Sequence, residues 1–237
     1  MMSPGTLYLI PVPLAADASA RSFTPYLSKT VNEIREYIVE NEKTARRFLK
    51  EAGLTIPQSE LIIHDYGKHS RNTDQQVFIR GLLNGHDVGL MSEAGCPGIA
   101  DPGSEIVALA HAKGIRVVPL VGPSSILLAL MASGFNGQSF TFHGYLPIDK
   151  GARAKKLREL ESHAERFDQT QIFIETPFRN NQLLEEVLRT CHPQTRLCIG
   201  CNLTGDDEMI RTLPVADWKK QAPDLHKKPA IFLLFRR

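Results

Sequence analysis

Short β-branched runs alternate along this chain with longer stretches whose apolar residues recur at helical spacing, the pattern of a parallel sheet with crossover helices. Leu7, Tyr8, Leu9 and Ile10 read as a first strand, ended by Pro11 and Pro13. Helices are predicted over 30–37, with Val31, Ile34 and Ile38 on one face, and over 44–52, stopped by Gly53 just past the helix end. A short strand at 61–63 and a helix over 73–83, capped by Asn72 or Thr73, follow. Strands at 88–91 and 115–120 flank a helix over 104–113 that ends at Gly114. The pattern restarts after Val121, Gly122 and Pro123 with a helix over 124–133. Strands at 140–142, 171–175, 195–200 and 230–235 and helices over 152–162 and 180–191 complete it. The expectation is an α/β protein of two α/β domains, 1–120 and 121–237, joined at that turn, each near the usual domain size.

Composition narrows the field. A 42% hydrophobic content over 237 residues excludes intrinsic disorder. The 28 Lys and Arg nearly balance the 26 Asp and Glu, so a net charge of +2 leaves any basic surface local. The longest apolar runs, such as 117–121 and 231–235, fall far short of the roughly 18–20 residues a bilayer span needs. The start of the chain lacks the charged-then-apolar order of a secretory signal, so no membrane partner and a cytoplasmic address are expected. Four cysteines do not make a disulfide scaffold. Cys198 and Cys201 form a lone C-x-x-C whose members fall on opposite faces of an extended segment, so they read as structural and no metal site is expected. The H-E-x-x-H, G-x-S-x-G, G-x-x-x-x-G-K-[ST] and G-x-G-x-x-G patterns are absent.

The densest cluster of turn-forming and polar residues is Ser92-Glu93-Ala94-Gly95-Cys96-Pro97-Gly98-Ile99-Ala100-Asp101-Pro102-Gly103, after one buried strand and before a helix. In a parallel sheet that is the carboxyl edge, where ligands bind. Its glycines admit close backbone approach, while Glu93 and Asp101 offer acceptors for ammonium or hydroxyl groups; the same loop is also compatible with Asp101 simply capping the next helix. Gly122-Pro123-Ser124-Ser125 repeats the theme at a second helix start, as a ligand turn or as a serine cap.

These two segments, with Gly5-Thr6-Leu7-Tyr8-Leu9-Ile10, Phe142-His143-Gly144-Tyr145-Leu146-Pro147 and Glu175-Thr176-Pro177-Phe178-Arg179, resemble the tetrapyrrole methylase superfamily. The nearest branch is that of the small-subunit ribosomal RNA cytidine 2′-O-methyltransferases. The resemblance implies two α/β domains with an S-adenosylmethionine (SAM) cleft between them, commonly in a homodimer. It also implies cofactor contacts at Pro11, Ser92, Glu93, Ala94, Gly95, Ile99, Ala100, Asp101, Ser124, Ser125, Glu175, Thr176, Leu203 and Thr204. Three departures lie on the acceptor side. Pro11-Val12-Pro13-Leu14-Ala15 stands for the branch's Pro-Ile-Gly-Asn-Leu, Glu40-Asn41-Glu42-Lys43 for Glu-Asp-Thr-Arg, and Asn202-Leu203-Thr204-Gly205 for Glu-Leu-Thr-Lys.

Methyl transfer from a sulfonium needs alignment above all, and a ribose hydroxyl also needs a base, for which Glu40 and Glu93 are the candidates. Lys150, Arg153, Lys155, Lys156 and Arg158, with Arg46 and Arg47, are suited to RNA phosphates or form an ordinary solvated helix face. Three acceptor readings follow: a ribose hydroxyl of rRNA or a related RNA, a tetrapyrrole-like small molecule, or a SAM-binding protein without turnover.

Overall fold

The computed structural model describes residues 3–16, 18–67 and 75–236. The chain divides into two compact units, one up to Ser124 and one from Ser125.

The first unit runs β1 (Thr6–Leu9), α1 (Ser19–Ser22), α2 (Pro25–Glu33), β2 (Glu36–Val39), α3 (Glu42–Glu51), β3 (Ile62–Asp65), α4 (Arg80–Leu83), β4 (Val88–Met91), α5 (Ser104–Ala112) and β5 (Arg116–Pro119). All five strands are parallel, in the order β3-β2-β4-β1-β5. Alternate side chains bury against opposite helix layers. Tyr37, Val39 and Ile10 pack with Leu27 and Val31 of α2 and with Phe48 and Leu49 of α3. Leu7, Ile38 and Leu90 pack with Leu82 of α4 and with Ile106 and Ala110 of α5. The connection leaving β1 therefore crosses the sheet in one direction over one face, and that leaving β4 crosses in the other direction over the other face. Their carboxyl ends part beside each other, at a topological switch point.

Two expectations are corrected here. The helix expected over 30–37 ends at Glu33, and Glu36–Val39 is a fully buried strand between β3 and β4. Ile34 turns extended (φ −99°, ψ 138°), and the apolar run Tyr37, Ile38, Val39 is buried on both faces, a case in which periodicity cannot tell strand from helix. Among the described residues of the helix expected over 73–83, only Arg80–Leu83 is α-helical, after a 3-10 turn at Gln75–Val77; its expected cap, Asn72 or Thr73, lies outside the described residues.

The second unit runs α6 (Ser125–Ser133), β6 (Phe140–Tyr145), α7 (Lys150–Phe167), β7 (Thr170–Ile174), α8 (Asn180–Thr190), β8 (Arg196–Cys201), β9 (Met209–Pro214), α9 (Val215–Trp218) and β10 (Ala230–Phe235). Its sheet is mixed, not parallel throughout. The order is β6-β7-β10-β8-β9, and only β6 and β7 run parallel. Phe173, Leu197, Ile199, Phe232 and Leu234 face α7, α8 and α9, while α6 packs against β8, β9 and β10 on the other side. Cys198 and Cys201 are buried on opposite faces of β8. Among the described residues, no helix is long and apolar enough to cross a membrane.

Candidate active site

Loops leaving β1, β2, β4 and β5 meet at the carboxyl edge of the first sheet. The β1 and β4 loops are tied by a reciprocal pair of backbone hydrogen bonds, Val12 N–H to Gly95 O at 2.9 Å and Gly95 N–H to Val12 O at 2.8 Å. The Cys96 thiol reaches the Pro123 carbonyl at 3.4 Å, joining the β5 loop to the same cluster. Pro11 is buried under that loop. A Cβ at Gly122 would stand 2.1 Å from Pro11 Cγ, so only glycine lets the β5 loop lie this close. Gly95 carries φ +73°, a conformation side chains resist, and is buried, its N–H and carbonyl both taken by Val12 and Leu14 Cδ2 lying 3.3 Å from where a Cβ would stand.

Three carboxylates share this edge. Glu40, following β2, accepts the Glu93 N–H at 3.3 Å. Burial first, and then the negative charge of Asp101, push its carboxyl above the usual range, against the pull of that hydrogen bond. Asp101 is raised as well, chiefly by burial, with the Ser92 hydroxyl opposing. Ser92 Oγ also reaches the Ala94 carbonyl at 3.2 Å, so Ser92 braces the loop from beneath. Glu93 itself is exposed and accepts a hydrogen bond from Thr44 of α3, which fixes its direction. Ala94, Ile99 and Ala100 are exposed on the loop's outer surface, Ala100 at φ +63°.

The expected site residues thus fall into two groups. Pro11, Ser92, Glu93, Ala94, Gly95, Ile99, Ala100, Asp101, Ser124 and Glu40 belong to the first unit, where the carboxyl edge gathers Pro11, Glu40, Glu93, Gly95 and Asp101. Ser125, Glu175, Thr176, Leu203 and Thr204 belong to the second. There Glu175 is already occupied: its Oε1 accepts both the Thr176 N–H and an Arg179 Nη2 hydrogen bond, each at 2.7 Å. Leu203 turns its side chain into its own unit's core, and Thr204 holds φ +70°, strained for a β-branched residue, with its N–H on Glu208 Oε2 at 2.6 Å.

The basic stretch needs a correction at one position. Arg153 is not a surface cation: its side chain is 5% exposed, lies 3.9 Å from buried Glu186 and donates to the Ile148 carbonyl. Helical periodicity turns it toward α8 while Lys150, Lys155 and Arg158 stay outside; Lys156 pairs with Glu159 at 2.6 Å. Thr44 went unnoticed in the sequence. The N-cap pattern of Asn41 was its only signal, because nothing local links it to Glu93.

The first-unit edge carries three acids with no cation paired to them among the described residues, acceptors suited to an ammonium or to hydroxyl groups. Among the described residues no group of three His, Cys, Asp or Glu is placed to hold a metal ion.

A doubly wound sheet with acid-bearing loops at its switch point, followed by a second α/β unit, defines an α/β protein that binds its ligand at the carboxyl edge of a sheet. The sequence profile of the tetrapyrrole (corrin/porphyrin) methylases matches residues 15–218, and the chain belongs to that family. It is similar to the Ribosomal RNA small subunit methyltransferase I of Vibrio cholerae, 32% identical over 213 residues, which cover 89% of this chain and 69% of that one. The protein of the same name from Pseudomonas aeruginosa is 30% identical over 220 residues, 92% of this chain and 74% of that one. The crystal structure of the methyltransferase CobJ shares the fold, with a TM-score of 0.64 at 18% identity, covering 99% of this chain and 96% of that one.

Proposed function

We propose that this methyltransferase acts on a ribose 2′-hydroxyl of small-subunit ribosomal RNA, with SAM held against the carboxyl edge of the first unit. The observation that carries the reading is the convergence of Glu40, Glu93 and Asp101 on loops locked by the Val12–Gly95 pair, in a chain whose relatives bear a ribosomal RNA methyltransferase name. Bound SAM supplies an activated methyl group on a sulfonium. The protein's share is alignment, exclusion of water and removal of one proton. Asp101 faces the cofactor, and the Gly95 turn, locked to Val12, holds the loop that carries it. Glu40, whose carboxyl burial holds above its usual range, takes the proton from the acceptor hydroxyl, while Glu93, steadied by Thr44, orients that hydroxyl. Ser125, Glu175, Thr176, Leu203 and Thr204 are assigned to the cofactor on the resemblance alone, Glu175 and Leu203 through their backbones. A cytoplasmic address and a homodimer belong to the same reading; light scattering on the purified protein tests the latter.

The decisive assay supplies labelled SAM with small ribosomal subunits lacking the modification. The expected product is labelled RNA whose modified linkage resists alkaline hydrolysis. Label in none of several RNA fractions overturns the reading.

A further inference from the structure

A cavity of about 200 Å³ lies within the first unit between the β1 loop, α3 and the end of β4. Phe48 and Met91 form apolar walls, and Ala45 lies on the α3 side. Phe48 is 4% exposed and held edge-on by Phe23 at 5.5 Å, so that wall is rigid. Thr44, which donates to Glu93, and the carboxylates Glu93 and Glu51 supply polar groups to the lining. Arg47 is 70% exposed and only loosely paired with Glu51 at 3.9 Å, so its guanidinium is free to swing to another anion.

Size and chemistry choose the occupant. Pockets that enclose a drug-sized ligand measure about 300–1,000 Å³, so this one is too small for a macrocycle and fits a single heteroaromatic ring. Apolar walls suit an unstacked base, a carboxylate suits an exocyclic amine, and a mobile arginine suits a phosphate. We infer that the cavity takes one nucleobase of the acceptor RNA, drawn out of its stack, with Arg47 on the adjoining phosphate. This inference rests on RNA being the acceptor.

The test fills the cavity. Ala45→Leu projects into it from α3 and keeps a strong helix former there. The Michaelis constant for ribosomal subunits is expected to rise about tenfold or more, with kcat at saturating RNA and the dissociation constant for SAM changed less than about twofold. Arg47→Ala, on the surface and outside the fold's packing, is expected to raise the same constant about threefold or more and keeps the test valid if Ala45→Leu misfolds. An unchanged Michaelis constant in both variants overturns the inference, as does a SAM affinity that falls in step, which would give the cavity to the cofactor. A second arm is independent of turnover. Nucleoside 5′-monophosphates titrated into the protein are expected to shift the Met91 methyl resonance, an effect lost in Ala45→Leu, and a short single-stranded RNA is expected to compete more tightly. That result supports the cavity's role even if no ribosomal RNA is labelled, whereas the absence of a shift, or mononucleotide binding that RNA does not displace, overturns it.

Discussion

Gly122 and Pro11 show how much one hydrogen atom can decide. With a Cβ at 2.1 Å from the proline ring, Gly122→Ala forces the β5 loop away from β1, and overpacking of this kind costs about 1–3 kcal/mol. Urea denaturation is expected to show that loss, and Pro11→Gly in the same chain, which removes both the Cγ at 2.1 Å and the Cβ at 2.3 Å, to restore part of it; equal losses with and without Pro11 would mean that the two are not coupled. Glu40 makes a statement about pH. Because burial raises its folded-state carboxyl, its protonated form favours the folded protein below the ordinary pKa near 4, and that contribution disappears as pH rises through the raised value. Glu40→Gln is therefore expected to raise the melting temperature at pH 7–8, to leave it unchanged near pH 3.5 and to lower kcat about 10²-fold. A melting shift equal at both pH values would contradict that sign. At this scale the sequence was informative about Glu93, Gly95 and Asp101, which sit in a glycine-rich loop at a strand end. Arg153 was not legible, because a run of cations does not say which member turns inward to Glu186.

Helix α3 carries more of the candidate site than its length suggests. Its N-cap Asn41 accepts from Lys43 N–H at 3.0 Å and Thr44 N–H at 3.2 Å, and the same first turn presents Thr44 to Glu93. Asn41→Ala is expected to cost about 1 kcal/mol in chemical denaturation and to raise the Michaelis constant for the acceptor while SAM affinity holds. Loss of stability with no kinetic change would separate the cap from the site. The sequence showed α3 and its stop at Gly53 clearly, since its apolar positions recur on one face and its caps are local. It misread β2 because a run buried on both faces carries no period to distinguish it. It passed over β9, a partly exposed strand interrupted by Arg211 and Thr212, because the 202–208 connection to its antiparallel partner β8 is too long to carry the signal of a tight two-residue hairpin.

For the molecule as a whole, the alternation of strands and helices was visible along the chain, but the strand order and direction were not. Nothing local marks β10 as the centre of a mixed sheet, inserted antiparallel between β7 and β8, because pairing direction depends on where distant segments return. Charge also acts at this scale. The net +2 conceals an exposed cationic face on α7 formed by Lys150, Lys155 and Arg158. Replacing all three with Gln is expected to flatten the plot of log affinity for RNA against log salt by about 2–3, at roughly 0.7–0.9 per phosphate contact. An unaltered slope would exclude this face from the RNA footprint.

The Val12–Gly95 pair has one more consequence. Both amides lie in loops, where deuterium ordinarily enters within seconds, yet each is shielded by a carbonyl from the opposite segment. They are expected to take up label nearly as slowly as the amides of β1 and β4 and to release it together, so two backbone positions can serve as a native gauge of when this mouth of the sheet opens and when a ligand keeps it shut.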